Sequence, residues 1–108
     1  MVTVIERWTL RAEVADRGLQ IMEEMDNLVG PAAHEHPGWV GHAAFYQSKT
    51  SPNEVLVVYP WRGIEEHLAL CGDEEPLLTG FYEKYCTAKR DIAYYEELPV
   101  EVEDDHDH

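Results

Sequence analysis

A chain of 108 residues with 44% hydrophobic side chains points to one small packed domain rather than a disordered polymer. Its formal net charge of −14, from 22 acidic and 8 basic residues, repels phosphate backbones and anionic lipid headgroups, which argues against nucleic acid and membrane surfaces as partners. No apolar run is long enough to span a bilayer and no apolar signal segment precedes the first strand, so the expected compartment is the cytoplasm. Residues 1–100 read as the folded domain. Residues 101–108, rich in Glu and Asp and carrying His106 and His108, read as a flexible acidic tail.

In chain order, residues 2–12 read as a strand in which Val2, Val4, Glu6, Trp8 and Leu10 share one face. Glu6 is the anomaly on that face. Residues 15–29 read as a helix capped by Asp16, with Leu19, Met22, Met25, Leu28 and Val29 at helical spacing. Gly30-Pro31 is expected to interrupt it, residues 32–36 to add a turn beyond a kink, and Pro37-Gly38 to end it.

Residues 39–48 and 54–60 read as strands joined by a hairpin loop around Ser51-Pro52-Asn53. The run Val55 to Tyr59 is apolar on both faces and so predicts a central strand, with Pro60-Trp61 at its end. A short helix over residues 62–71, stopped by Gly72, precedes another capped by Asp73, with Pro76 in its first turn. Leu77, Leu78, Phe81, Tyr82 and Tyr85 supply the apolar face of the second. A last strand over residues 91–98 is closed by Pro99.

The order β-α-β-β-α-β predicts an α+β, ferredoxin-like split βαβ fold, one antiparallel sheet with its helices on one face. The other face, with Ile5, Ala43, Phe45, Val58 and Tyr95 assigned to it, would be left bare. A second copy of the chain is therefore the expected partner. Cys71 and Cys86 form no CxxC pair. They are compatible with one disulfide or two buried thiols, and the absence of secretory features favours thiols.

Several segments resemble the antibiotic biosynthesis monooxygenase family. These are Ile5-Glu6-Arg7-Trp8-Thr9-Leu10, His36-Pro37-Gly38-Trp39, the passage from Val57 through Tyr59-Pro60-Trp61 to His67-Leu68, and Arg90 to Pro99. The resemblance spans residues 2–99 and implies a dimeric α/β barrel with a pocket between sheet and helices in each subunit. It also implies that Trp61 lines that pocket and that Glu6 stands where several members carry a ligand-contacting asparagine. Two departures matter. Val57 occupies the third-strand position where polyketide oxygenases of the family can carry asparagine. The stretch Thr79–Tyr85 lacks the histidine that haem-degrading members use to bind iron, which disfavours haem degradation.

Period-two alternation points Glu6, Trp8, Val57, Tyr59 and Trp61 toward the helices. Aromatic walls with one carboxylate suit a planar aromatic ligand, and a buried glutamate could remove a proton from a phenol or carbon acid. The bland alternative makes both tryptophans core and pairs Glu6 with Arg7, Arg11 or Arg62. His67 and His42 are the further acid–base candidates, while Tyr46 and Tyr82 are further candidates for ligand contact. His34 and His36, two apart, are not expected to share a helix face, and no paired metal-ligand motif is present; the tail could gather a cation only weakly. No phosphate loop or GxSxG elbow occurs.

The reading is a cofactor-independent, oxygenase-like enzyme acting with dioxygen on a small aromatic or polyketide-like molecule. Glu6, His67 and His42 are its catalytic candidates, and Trp8, Tyr46, Tyr59, Trp61 and Tyr82 its ligand contacts. A non-catalytic metabolite-binding or accessory protein, or an isomerase or cyclase on the same fold, is the alternative.

Overall fold

The computed structural model describes residues 1–103; the tail residues 104–108 lie outside the described part. Strand β1 (Val2–Thr9) leads through a 3₁₀ segment (Ala12–Arg17) into helix α1 (Gly18–Glu35). Strands β2 (Ala44–Gln47) and β3 (Glu54–Trp61), helix α2 (Ile64–Tyr85) and strand β4 (Asp91–Tyr95) complete the chain. The strands form one antiparallel sheet in the order β2-β3-β1-β4, as the ferredoxin-like reading requires. No described helix is long and apolar enough to cross a membrane.

The pairing register fixes the two faces of the sheet. Val4 sits opposite Tyr59, Glu6 opposite Val57 and Trp8 opposite Val55, and these positions turn toward the helices. Behind them, Ile21, Met22, Met25 and Val29 of α1 and Leu78, Phe81, Tyr82 and Tyr85 of α2 pack into one cluster around Trp8. Trp8 is wholly buried, with Phe81 edge-on to its ring at 5.5 Å. Cys71 and Cys86 are both free and buried.

Several expectations change. Helix α1 runs unbroken through Gly30-Pro31, and the 3₁₀ segment containing Asp16 precedes it without a side-chain cap. Pro31 removes one helical hydrogen bond, at a cost of ~3 kcal/mol. Pro31 and Asn27, whose carbonyl loses that partner, both face solvent, while Val29 and Gly30 are buried on the inner side. Helix α2 is a single helix rather than two. His67, Leu70, Cys71, Glu74, Leu78, Phe81, Tyr82 and Tyr85 make one continuous buried stripe across Gly72 and Pro76. Gly72 has open space beside it, so its carbonyl, freed by Pro76, meets water.

Strand β2 is shorter than residues 39–48, because Trp39 makes only an isolated bridge to Trp61 and the segment between them and β2 is irregular. Finally, Phe45 pairs with Val57 and Ala43 packs against the core, so both belong to the helix side rather than the bare face. The bare face carries Ile5, Val58 and Tyr95, as expected, together with Ala44, Tyr46, Leu56 and Ala93. Strand β4 stops at Tyr95, short of residue 98.

Gly38 lies where a side chain cannot: a Cβ there would run into the Trp61 indole nitrogen. Its carbonyl also accepts the Arg62 backbone N–H at 2.9 Å. Gly38→Ala should therefore lower unfolding stability by about 1–3 kcal/mol, the usual cost of overpacking, as measured by urea denaturation. An unchanged midpoint would show that the Trp61 ring moves freely.

Candidate active site

The charged side chain that breaks the apolar face of β1 is the centre of a buried polar network. Glu6 is 3% exposed. Its Oε1 accepts the Trp8 indole N–H at 2.9 Å, and its Oε2 accepts the Tyr59 hydroxyl at 2.5 Å and Arg90 Nη1 at 3.1 Å. Glu6 thus pairs with Arg90, from just before β4, and with none of Arg7, Arg11 and Arg62. Arg7 pairs with Glu54, Arg62 with Glu66, and Arg11 donates to the Glu83 carbonyl.

Arg90 spends its remaining donors on α2. Nη2 lies 2.9 Å from Glu74 Oε1 and Nε 3.0 Å from Glu75 Oε2. Desolvation by itself would pull the Arg90 pKa down. Glu6 and Glu74 reverse this and hold it above its ordinary value, so the guanidinium stays charged. Burial raises the Glu74 pKa despite the adjacent guanidinium.

A second arm runs from Tyr59 to His67, which is wholly buried. The Tyr59 hydroxyl has one proton and gives it to Glu6, so at its 2.5 Å contact with His67 Nε2 the same oxygen accepts. Nε2 therefore carries the imidazole proton and Nδ1 is bare. Nδ1 accepts the Tyr94 hydroxyl at 2.8 Å, with Cys71 Sγ 3.5 Å away. Desolvation, then the charge of Arg90, brings the His67 pKa down to about 4, so the ring is neutral near pH 7. Burial, then Glu6, pushes the Tyr59 pKa far up. Tyr94, His67, Tyr59 and Glu6 thus form a directed hydrogen-bond chain. Burial also pushes the Cys71 thiol up to about 12 and Cys86 to about 11, which leaves neither as a thiolate nucleophile.

A pocket of about 160 Å³ opens onto this network between α1, the segment before β2 and the sheet. Glu6, Glu74 and Tyr59 form polar parts of its wall, Trp61, Trp39 and Phe45 aromatic parts, and His34 and His42 line its exposed side. A second depression, about 520 Å³, lies between the start of α1 and β2 and touches none of the Glu6–Arg90 network.

Of the residues singled out from sequence, Glu6, His42, Tyr59 and Trp61 therefore meet at one pocket. Trp8 and His67 lie outside its lining and reach it only through Glu6 and Tyr59. Tyr82 packs on Trp8 and donates to Glu75, away from the pocket. Tyr46 is turned to the bare face opposite Leu56, because the register of β2 pairs its neighbour Phe45 with buried Val57 on the helix side. His36 accepts the Gly38 N–H at 2.9 Å and packs against Trp61. Trp61 Nε1 is buried with no partner among the described residues. Four members of the network, Arg90, Glu74, Glu75 and Tyr94, are not among the site residues read from sequence. For Glu74 a signal existed: it falls on the buried stripe once α2 is read as one helix.

The chain is a small α+β domain with an antiparallel ferredoxin-like sheet and an aromatic-walled pocket ending on a buried carboxylate, and solved structures share its fold. A proposed antibiotic biosynthesis monooxygenase from Bordetella bronchiseptica superposes with a TM-score of 0.69 at 12% identity, over 90% of this chain and 96% of that one. Another from Nitrosomonas europaea gives 0.64 at 12% identity, over 91% and 99%. SnoaB of Streptomyces nogalater, described as a cofactor-independent oxygenase, gives 0.62 at 13% identity, over 93% and 97%. No family model and no curated protein matches the sequence. The chain has the fold of the antibiotic biosynthesis monooxygenases.

The depressed His67 pKa sets a pH dependence. Between its unfolded value of 6.5 and its folded value of about 4, the unfolded chain binds more protons than the native one. Stability should therefore fall as pH drops from about 6.5 toward 4, and the loss from this group should level off below that. His67→Gln removes this contribution, so chemical denaturation across that range should show a shallower slope for the variant than for the parent. Parallel slopes would contradict a buried neutral imidazole.

Proposed function

We propose that the chain is an oxygenase-like enzyme that binds a small aromatic molecule in the Glu6 pocket and ionises it for reaction with dioxygen, without a metal or flavin. The observation that carries this reading is a buried carboxylate opening onto an aromatic-walled pocket and hydrogen-bonded to a neutral imidazole through a tyrosine. Glu6 anchors the ligand hydroxyl and takes its proton, while Tyr59 and His67 hold the carboxylate in place and re-orient their own protons as its charge changes. The electron-rich phenolate or enolate left behind is the species that reacts with dioxygen. Trp61 and Trp39 provide aromatic surface for the ring.

The pocket size narrows the substrate. A cavity of about 150 Å³ holds benzene, so 160 Å³ suits one ring rather than a fused polyketide. The acidic lining, with Asp26, Glu6 and Glu74 all on the pocket wall, favours neutral phenols and hydroquinones over carboxylates or phosphates. Oxygen uptake with a panel of single-ring phenols tests the reading. Turnover should fall about 100-fold or more in Glu6→Gln, and His42→Ala, at the exposed side, should alter KM more than kcat. Full turnover in Glu6→Gln would overturn the base assignment.

One observation favours a second reading. Trp8, Tyr59 and Arg90 already occupy Glu6 as donors, which suits a fixed anchor as well as a base. A metabolite-binding protein would bind the same phenols tightly without consuming oxygen.

The bare sheet face with Ile5, Leu56, Val58 and Tyr95 suits pairing with a second copy. Sedimentation at micromolar concentration should give twice the chain mass, and Val58→Lys, at the centre of that face, should give the monomer. A monomeric parent would exclude the dimer.

A further inference from the structure

We propose that His34 and His42 form a two-imidazole chelate for a divalent first-row transition ion, with Zn²⁺ as the probe, on the exposed side of the pocket. His34 stands near the end of α1 and His42 in the irregular segment before β2, so only the folded chain brings them together. His34 Nδ1 lies 2.9 Å from the Gly30 carbonyl oxygen, one helical turn back. A carbonyl only accepts, so Nδ1 carries the proton and Nε2 presents a bare lone pair. That lone pair faces His42 Nδ1 at 3.4 Å.

The separation is long for a hydrogen bond between nitrogens. It matches the roughly 3.3 Å between two imidazole nitrogens on one tetrahedral zinc, each about 2.0–2.1 Å from the ion. A ring nitrogen tied back to a backbone carbonyl is also the usual outer support of a metal-binding histidine, because it fixes tautomer and ring orientation together. Trp39 packs at 5.3 Å from each ring and restricts both. Both histidines are exposed, so an ion reaches them without any opening of the fold.

Among the described residues no third histidine, cysteine or carboxylate is gathered with them. The remaining coordination positions therefore belong to water, or to an oxygen donor of a ligand in the pocket that both rings line. His36 is no part of the site, since its Nδ1 is engaged by the Gly38 N–H. The inference stands apart from the Glu6 reading and does not require it.

Calorimetric titration of the full chain with ZnCl₂ at neutral pH tests the site. One ion should bind per chain. Affinity should fall about tenfold or more in His34→Ala and in His42→Ala. Circular dichroism of both variants should match the parent, because the two side chains are exposed. His36→Ala and the tail double variant His106→Ala/His108→Ala serve as controls and should bind as the parent does. Absence of binding by the parent would overturn the proposal, as would binding retained in His34→Ala and His42→Ala or lost in the tail variant.

Discussion

The Arg90 guanidinium, buried between three carboxylates, is the constraint around which the site is arranged. It joins Glu6 of β1 to Glu74 and Glu75 of α2 from a position immediately before β4. Three separate elements thus meet at one charge. Taking such groups out of water costs several kcal/mol per ion, and the cost is met only when nearly every donor and acceptor is engaged. Here Trp8 and Tyr59 complete Glu6, and Glu74 and Glu75 complete Arg90. A well-packed apolar cluster would hold the same elements without that cost. The polar arrangement instead fixes one geometry, in which each member of the charge cluster comes from a defined place on β1, on α2 or immediately before β4.

Rigidity at the polar end of the pocket follows. Glu6 is held by donors from β1, β3 and the residue preceding β4, so its carboxylate has little freedom to turn. The hydrogen-bond chain through Tyr59 and His67 to Tyr94 has a single consistent direction, because a tyrosine hydroxyl has one proton and a neutral imidazole has one. The pocket that ends on the Glu6 carboxylate combines a volume of about 160 Å³ with a wall that includes Asp26, Glu6 and Glu74.

The long helix α2 shows how packing overrides local signals. Gly72 and Pro76 mark a break by every local rule, and an interior proline costs ~3 kcal/mol. Burying Leu70, Leu78, Phe81 and Tyr85 along one stripe offsets this, each such side chain contributing about 1.5–3 kcal/mol. Reading the helix as two pieces hid the periodicity that places His67 and Glu74 on the same buried face. Phe45 and Tyr46 exchange faces relative to the sequence expectation for a related reason: which of two alternating positions faces the core is set by the register of β2 against β3, which β2 alone does not specify.

The order of elements, the antiparallel ferredoxin-like sheet, the bare face with Ile5, Val58 and Tyr95 and the anomaly of Glu6 were all determined by the sequence itself. Period-two and helical spacing report which side of its own element a residue occupies. Tertiary structure alone decided what stands opposite: Arg90 against Glu6 across 84 positions of chain, Tyr94 against His67, His34 against His42. Periodicity carries no information about partners from other elements. The identity of a charge's partner depends on the register and packing angles that closing the core imposes.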